Sequence, residues 1–98
     1  MTGDEAIHRG LTDPGIQQVL GRRLRSYRKA AGLSLEQLAA RSGLAPLTIH
    51  AAEHGGNFTI RTLLRVLRAL DRLEQVDALL PPIPRSPLDL IDRRDQGG

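Results

Sequence analysis

The chain has 98 residues and a mass of 10.7 kDa, which is enough for one small domain and excludes a multidomain enzyme. It contains no cysteine, which excludes a disulfide framework and thiolate chemistry, and its 2% aromatic content leaves a core of Leu, Ile, Val and Ala, which favours helices. The formal net charge is +3, and all but one of the 14 basic residues are Arg, but charge alone does not distinguish a phosphate-binding surface from a solvated one. No stretch resembles a membrane span or a signal peptide, so we expect a cytoplasmic protein.

The first 16 residues predict a flexible arm, because they are polar, show no sustained period and include the turn signal Asp13-Pro14-Gly15. We expect a helical domain at residues 17–80 to follow this arm. One face of its first helix is apolar, with residues spaced by four, three and four at Leu20, Leu24, Tyr27 and Ala31. The other faces carry Arg22, Arg23, Arg25, Arg28 and Lys29. Gly32 is expected to end the helix.

Two short helices joined by a glycine turn are predicted next. Ser34 and Gln37 have the spacing of a capping box, which predicts a second helix that ends at Gly43 and buries Leu35, Leu38 and Ala39. Pro46 suits the first turn of a third helix, although Ala45 before it is a poor N-cap. The third helix is expected to stop at Gly55-Gly56.

A fourth helix has the strongest amphipathic pattern in the chain. Thr59 is its expected N-cap, and its predicted core positions are Ile60, Leu63, Leu64, Leu67 and Leu70. The opposite face forms an arginine stripe, Arg61, Arg65, Arg68 and Arg72, which is either a solvent face or a surface for an acidic partner or the flank of a DNA site. A fifth helix follows and ends at Pro81-Pro82, and residues 81–98 form a Pro-rich tail that includes Leu88, Leu90 and Ile91.

The second helix, the glycine turn and the third helix have the arrangement in which one helix crosses the DNA backbone while the next enters the major groove. Between Val19 and Leu70 the chain resembles the lambda-repressor-like helix-turn-helix family (Cro type, also called XRE). The resemblance rests on the runs Leu20-Gly21-Arg22-Arg23-Leu24-Arg25-Ser26-Tyr27-Arg28-Lys29, Gly32-Leu33-Ser34, Glu36-Gln37-Leu38-Ala39, Gly43-Leu44, Thr48-Ile49, Glu53-His54-Gly55 and Thr62-Leu63-Leu64 to Ala69-Leu70. The expected fold is therefore all-α, a five-helix lambda-repressor-like DNA-binding domain.

The third helix must bury one face and present another to DNA. Ile49, Ala52 and the preceding Leu44 suit burial, so the candidate base-reading residues are Pro46, Leu47, Thr48, His50, Ala51 and His54. The resemblance implies phosphate contacts from the side chains of Arg22, Arg23, Arg25 and Arg41 and from the backbone amides of Gly56 and Asn57. It also implies a structural ion pair between Arg28 and Glu53. Leu35 stands where the family usually has a Gln that touches the DNA backbone, which leaves the base preference open.

His50-Ala51-Ala52-Glu53-His54 also matches the H-x-x-E-H pattern of inverted zinc peptidases. Such an enzyme needs a third metal ligand and a far longer chain, and the remaining histidine, His8, lies in the predicted arm. We therefore expect no enzyme activity, no resident metal and no cofactor. Adventitious zinc or nickel binding by the histidine pair stays open.

A single helix-turn-helix buries too little surface for tight specific binding, so a homodimer on a palindromic operator is expected. Its dimer surface is predicted at Leu73, Val76, Leu79 and Leu80. Four runs of the chain are similar to HipB-like regulators: Asn57-Phe58-Thr59, Thr62 to Leu70, Asp77 to Pro82 and Ser86-Pro87-Leu88. That similarity implies a nucleoid-bound, autoregulatory repressor and antitoxin in bacteria, with a HipA-like kinase toxin as its partner. The alternative is a helical adaptor that uses the same scaffold to bind protein without specific DNA binding.

Overall fold

The computed structural model describes residues 6–84, and within that range it is all-helical, with no strand. The helices, in chain order, are α1 (Asp13–Ala30), α2 (Leu35–Ser42), α3 (Pro46–Glu53), α4 (Ile60–Ala69) and α5 (Glu74–Leu79). The prediction of an all-α, five-helix domain is therefore confirmed. None of the helices in this range is long and apolar enough to cross a membrane.

Helix α1 begins earlier than predicted. The side-chain oxygen of Thr12 accepts a hydrogen bond from the Gly15 amide at 3.1 Å, and a proline lies in the first turn. An N-cap threonine followed by proline starts a helix, because the cap satisfies one unpaired amide and proline has none to satisfy. The assignment of Asp13-Pro14-Gly15 to a turn, and of residues 13–16 to an arm, is therefore wrong. Residues 1–5 of that arm lie outside the described residues.

The buried face of α1 is rotated from the predicted one. Val19 and Leu24 are buried, whereas Leu20 and Tyr27 are half-buried and Ala31 is an exposed C-cap. The apolar spacing correctly predicted a helix, but the predicted buried face was placed on the largest apolar side chains and did not include Val19. The face of α1 that packs against α3 also contains Gly21 and Arg28. Neither has an apolar side chain, so the apolar pattern could not identify them as buried.

Gly21 brings the backbones of α1 and α3 together. A Cβ atom on Gly21 would lie 2.5 Å from the carbonyl oxygen of Ala52 and 2.7 Å from that of Glu53. Both distances are shorter than a non-bonded contact between carbon and oxygen allows, so only glycine fits where α1 crosses the end of α3. This crossing fixes the position of α3 relative to the rest of the domain.

The ends of α2 and the start of α3 are as predicted. Ser34 and Gln37 form a complete capping box, and Gly43 ends α2 in the left-handed conformation with φ of 73°. The Gly43 amide donates to the Ala39 carbonyl at 2.9 Å, and the Leu44 amide donates to the same oxygen at 3.2 Å. The chain thereby turns sharply into α3, which begins at Pro46 and has no side-chain cap from Ala45.

The core lies between α1, α2, α3 and α4. Its most completely buried side chains are Val19, Leu38, Ile49 and Val66. In α4 the core side chains are Val66 and Leu67, and its C-cap Leu70 is also buried, while Leu63 and Leu64 are half-buried. The prediction that Ile60 is a core residue is wrong: it is 77% exposed, because the first residue of α4 lies beyond the edge of the packed face.

Helix α5 has no buried residue and leaves an apolar groove of about 500 Å³ against α4. The groove is lined by Ile60, Leu63, Leu64, Leu73, Val76, Asp77, Leu79 and Leu80. Residues 81–84 follow α5 and are exposed. The rest of the predicted tail, with Leu88, Leu90 and Ile91, lies outside the described residues.

Replacing Gly21 with alanine tests the crossing of α1 and α3. Helix propensity alone predicts that Gly21→Ala stabilises α1 by about 0.5–1 kcal/mol. Because the added methyl group meets two backbone carbonyls, we expect the variant to lose about 1–3 kcal/mol in the free energy of unfolding. Urea denaturation followed by circular dichroism measures the change, with Lys29→Ala, an exposed change on the same helix, as the control. A stabilised Gly21→Ala protein would contradict the crossing.

Candidate nucleic-acid interface

Helix α3 has one buried and one exposed face. Ile49 and Ala52 are each 1% exposed and pack in the core, and Leu44 before the helix is half-buried. The candidate base-reading residues lie on the other side: Thr48 is half-buried, and the exposed members are Pro46, Leu47, His50, Ala51 and His54. Leu47 is 78% exposed, although it is a large apolar residue. The structure thus brings the candidate residues together on one surface of α3.

A buried ion pair holds α3 against α1. The Nε atom of Arg28 donates to Oε2 of Glu53 at 2.7 Å, and its Nη2 donates to Oε1 at 3.0 Å. A third hydrogen bond runs from Nη1 to the carbonyl oxygen of Leu33 at 2.9 Å. The hydrogen bond with Glu53 raises the pKa of the Arg28 guanidinium above its ordinary value, against the opposing effect of burial. Arg28 therefore stays charged, and its pairing joins α1, α3 and the segment before α2.

The same ion pair holds the Glu53 carboxylate in the core, away from the two exposed histidines of α3. Glu53 is 4% exposed and both of its carboxylate oxygens accept from Arg28, whereas His50 and His54 are exposed. A general base must reach the proton that it abstracts, and Glu53 faces the core. In this chain the H-x-x-E-H motif therefore consists of a buried glutamate with a structural role and two histidines on the surface. In residues 6–84, no group of three or more His, Cys, Asp or Glu side chains is arranged to hold a metal ion.

The two histidines of α3 contact each other. Their ring centroids are 4.0 Å apart and the planes are inclined by 20°, which is a stacked arrangement. Nδ1 of His54 lies 2.7 Å from the carbonyl oxygen of His50. A carbonyl oxygen only accepts, so Nδ1 of His54 carries a proton in this contact, and in the neutral ring Nε2 is then the acceptor. The spacing of four residues predicted two neighbouring rings, but the tautomer follows only from the structure.

The candidate phosphate-binding side chains differ in exposure. Arg25 and Arg41 are exposed, whereas Arg22 and Arg23 are half-buried on α1. An arginine that is exposed in the free protein reaches a phosphate without giving up packing. Arg25 and Arg41 are therefore the members of this set whose guanidinium groups are most accessible to a strand of DNA.

The loop after α3 is folded back onto helices α1 and α3. The Gly56 amide donates to the carbonyl oxygen of Ala51 at 2.8 Å, so this amide already has a partner within the chain, and its phosphate contact stays a prediction. Asn57 is exposed, and its Oδ1 accepts from Nε2 of Gln17 on α1. Gln17 was missed by the sequence analysis, because nothing in the sequence connects two residues that are 40 positions apart.

Gly55 allows the close approach of that loop to α1. Its φ is 86°, in the left-handed region, and a Cβ atom at this position would lie 2.6 Å from Cγ of Gln18. Backbone conformation and lack of space both favour glycine here. Gln17 and Gln18 together fix the path of the chain between α3 and α4.

The arginine stripe of α4 is not uniform. Arg61, Arg65 and Arg68 are exposed. Arg72 is half-buried, and its guanidinium carbon lies 4.2 Å from the centroid of the Tyr27 ring. That geometry is a cation–π contact, which ties the end of α4 to α1. Arg72 is therefore a packing residue, and the solvent-facing stripe consists of the other three.

Comparison with known protein families agrees with this geometry. A family model described as helix-turn-helix matches residues 24–74. That range is more than half of the chain and runs from the middle of α1 to the first residue of α5. It therefore contains the two short helices, the glycine turn and the Arg28–Glu53 pair. No curated protein matches the chain.

The ion pair is testable by breaking it and by replacing it. Glu53→Ala leaves the buried Arg28 guanidinium without its counter-charge, so we expect a loss of about 3–5 kcal/mol in the free energy of unfolding. The double variant Arg28→Met with Glu53→Met fills the space without charge and should lose less than Glu53→Ala alone. Urea denaturation of the three proteins gives the comparison. Equal losses in the single and double variants would show that the charges themselves do not matter.

Proposed function

The chain belongs to the helix-turn-helix family, and we propose that it is a DNA-binding transcription regulator of the lambda-repressor-like (XRE) type that represses transcription at a specific operator. The family is one of DNA-binding regulators and is generally not enzymatic. The observation that carries the proposal is the family match over α2, the turn and α3, together with the exposed face of α3. In this function α3 enters the major groove and α2 crosses the DNA backbone.

The exposed face of α3 has the chemistry of a base-reading surface. Leu47 and Ala51 are apolar and exposed, and an apolar side chain recognises the methyl group of thymine. His50 supplies both a donor and an acceptor for the edge of a base. Leu47 is 78% exposed, so covering its apolar side chain with a bound partner would stabilise the complex. These features support Pro46, Leu47, Thr48, His50, Ala51 and His54 as the base-reading set.

Arginines beside α3 supply the contacts that do not depend on sequence. Arg25 and Arg41 are exposed, and a guanidinium group forms forked hydrogen bonds with phosphate oxygens. We propose these two as the principal phosphate contacts, with Arg22, Arg23 and Asn57 beside them. Such contacts place α3 in register on the duplex and release counterions from it.

The groove between α4 and α5 supports a homodimer. Leu79 is 61% exposed and Leu80 is 82% exposed, and with Leu73 and Val76 they line the groove. Burying this apolar surface against a second copy would stabilise the association. A twofold dimer would place two α3 helices one turn of DNA apart, about 34 Å, on a palindromic operator.

The alternative function is that of a protein-binding adaptor. The same exposed leucine and alanine on α3 would suit an apolar partner, and phosphate contacts would then be unnecessary. The HipB-like antitoxin role, with a HipA-like kinase toxin as partner, stays a prediction. Its proposed contact residues Leu88, Leu90 and Ile91 lie outside the described residues.

The salt dependence of DNA binding separates a regulator from an adaptor. We expect the protein to bind a duplex of its own promoter more tightly than scrambled DNA, with an affinity that falls as salt rises. Arg41→Gln should weaken binding to both duplexes and reduce the salt slope by about 0.9, the value for one phosphate contact. Fluorescence anisotropy at several salt concentrations measures both quantities.

Arg68→Gln is the matched control, because Arg68 is also an exposed arginine, on α4, and is not placed among the DNA contacts. It should leave the slope nearly unchanged. Equal effects of the two substitutions would remove Arg41 from the contact set. No binding to either duplex at low salt would overturn the regulator proposal and favour the adaptor.

The dimer surface is tested by placing a charge in the groove. Leu79→Asp puts a carboxylate among apolar side chains, so we expect a folded monomer whose operator affinity is strongly reduced. Ala78→Asp is the control, because Ala78 is exposed on α5 but does not line the groove. Sedimentation equilibrium measures the mass, and circular dichroism checks the fold. A dimer that survives Leu79→Asp would place the interface elsewhere.

A further inference from the structure

The stacked histidines at the end of α3 have a feature that DNA binding alone does not explain. Nδ1 of His54 donates to the carbonyl oxygen of His50 at 2.7 Å, so in the neutral ring the lone pair of Nε2 is the one left for another ligand. Histidines that bind metals characteristically donate their other ring nitrogen to a carbonyl or carboxylate, which fixes the ring and makes the free nitrogen more basic. His54 is therefore oriented in the manner of a metal ligand.

His50 supplies a second imidazole beside the first. The two rings are 4.0 Å apart between centroids and their planes are inclined by only 20°, so the two imidazoles lie face to face on the same side of the helix. Both side chains are exposed. A metal bound to two imidazoles lies in the plane of each ring, about 2.0–2.1 Å from each nitrogen, so binding requires the exposed His50 ring to rotate out of the stack. Two histidines four residues apart on a helix have the spacing that allows both to bind one ion.

The electrostatic surroundings favour a cation at this end of α3. The helix contains no Lys or Arg between Pro46 and Glu53, and its C-terminal carbonyl groups carry a partial negative charge that extends over the last turn. The only acid of α3, Glu53, is neutralised by Arg28 in the core and does not take part.

We propose that His50 and His54 form a reversible two-histidine site for a divalent transition metal of the zinc, nickel and copper class. Imidazole nitrogens suit these ions better than they suit magnesium or calcium, which prefer oxygen ligands. Water completes the coordination, because within residues 6–84 no third His, Cys, Asp or Glu joins the pair. The site is thus open and exchangeable, unlike a closed structural zinc site with four protein ligands.

A metal at this site would change the proposed DNA-reading surface, and this step rests on the proposed function. Coordination takes up the lone pair that each ring would offer to a base edge and adds positive charge to the exposed face of α3. Specific contacts are lost while attraction to phosphate increases. The metal-bound protein should therefore distinguish its promoter from other DNA less well than the metal-free protein does.

The site itself is tested without DNA, on the full-length chain carrying no histidine tag. Zn²⁺ is titrated while NMR follows the ring protons of the three histidines. We expect one ion per chain, with shifts confined to His50 and His54. His50→Ala and His54→Ala should each lose binding at zinc concentrations that saturate the unmodified protein, because one imidazole remains.

His8→Ala is the matched control, since His8 is also exposed and its Nδ1 accepts a hydrogen bond from the Gly10 amide at 3.0 Å. It should bind zinc as the unmodified chain does. The proposal is overturned if no zinc binds, if His50→Ala leaves binding unchanged, or if His8→Ala reduces it as much as the α3 variants do.

A second measurement tests the consequence. The ratio of promoter to scrambled-DNA affinity is determined with and without Zn²⁺ for the unmodified chain and for His54→Ala. Zinc should lower the ratio in the unmodified chain and leave that of His54→Ala unchanged. A ratio that zinc does not alter would overturn the regulatory consequence while the zinc titration stands, and failure to bind DNA would overturn the proposed function alone.

Discussion

The buried pair of Arg28 and Glu53 is the interaction on which the arrangement of this domain depends. It joins the last turn of α1 to the last residue of α3 through two hydrogen bonds, and a third from the same guanidinium reaches the segment before α2. Two buried charges are costly to desolvate, and only close pairing with further hydrogen bonds offsets that cost. The pair is therefore satisfied in one arrangement of the three segments. Gly21 allows the backbones to approach closely enough for that arrangement.

The orientation of Glu53 also determines which side of α3 faces outward. With Glu53, Ile49 and Ala52 turned to the core, the helical period leaves Leu47, His50 and Ala51 exposed together. The proposed DNA surface is thus the complement of the packed face. The same geometry separates the acid from both histidines, so a spacing that matches a peptidase motif belongs here to two opposite faces of one short helix.

Surface features outside α3 fit the same division between packing and contact. Arg72 covers the Tyr27 ring and stabilises the fold, while Arg25 on α1 and Arg41 on α2 remain exposed. The groove between α4 and α5 leaves apolar side chains exposed that are not used in the core of the domain. In our proposal three exposed features have partners of matching chemistry: DNA bases and a divalent metal for α3, phosphates for Arg25 and Arg41, and a second copy for the groove.

The sequence by itself determined the number and type of the helices and most of their ends, because caps, glycine stops and apolar periods act within a few residues. Ser34, Gly43, Pro46 and Thr59 have the predicted roles. The prediction of a turn at Asp13-Pro14-Gly15 was wrong, because the same residue types occur in turns and in the first turn of a helix. Only the tertiary structure decided the rotation of α1, the pairing of the Gly56 amide, the contact of Gln17 with Asn57 and the tautomer of His54. Each of these depends on which groups come into contact in the folded chain or on the detailed geometry of a turn. The spacing of residues in the sequence does not provide either kind of information.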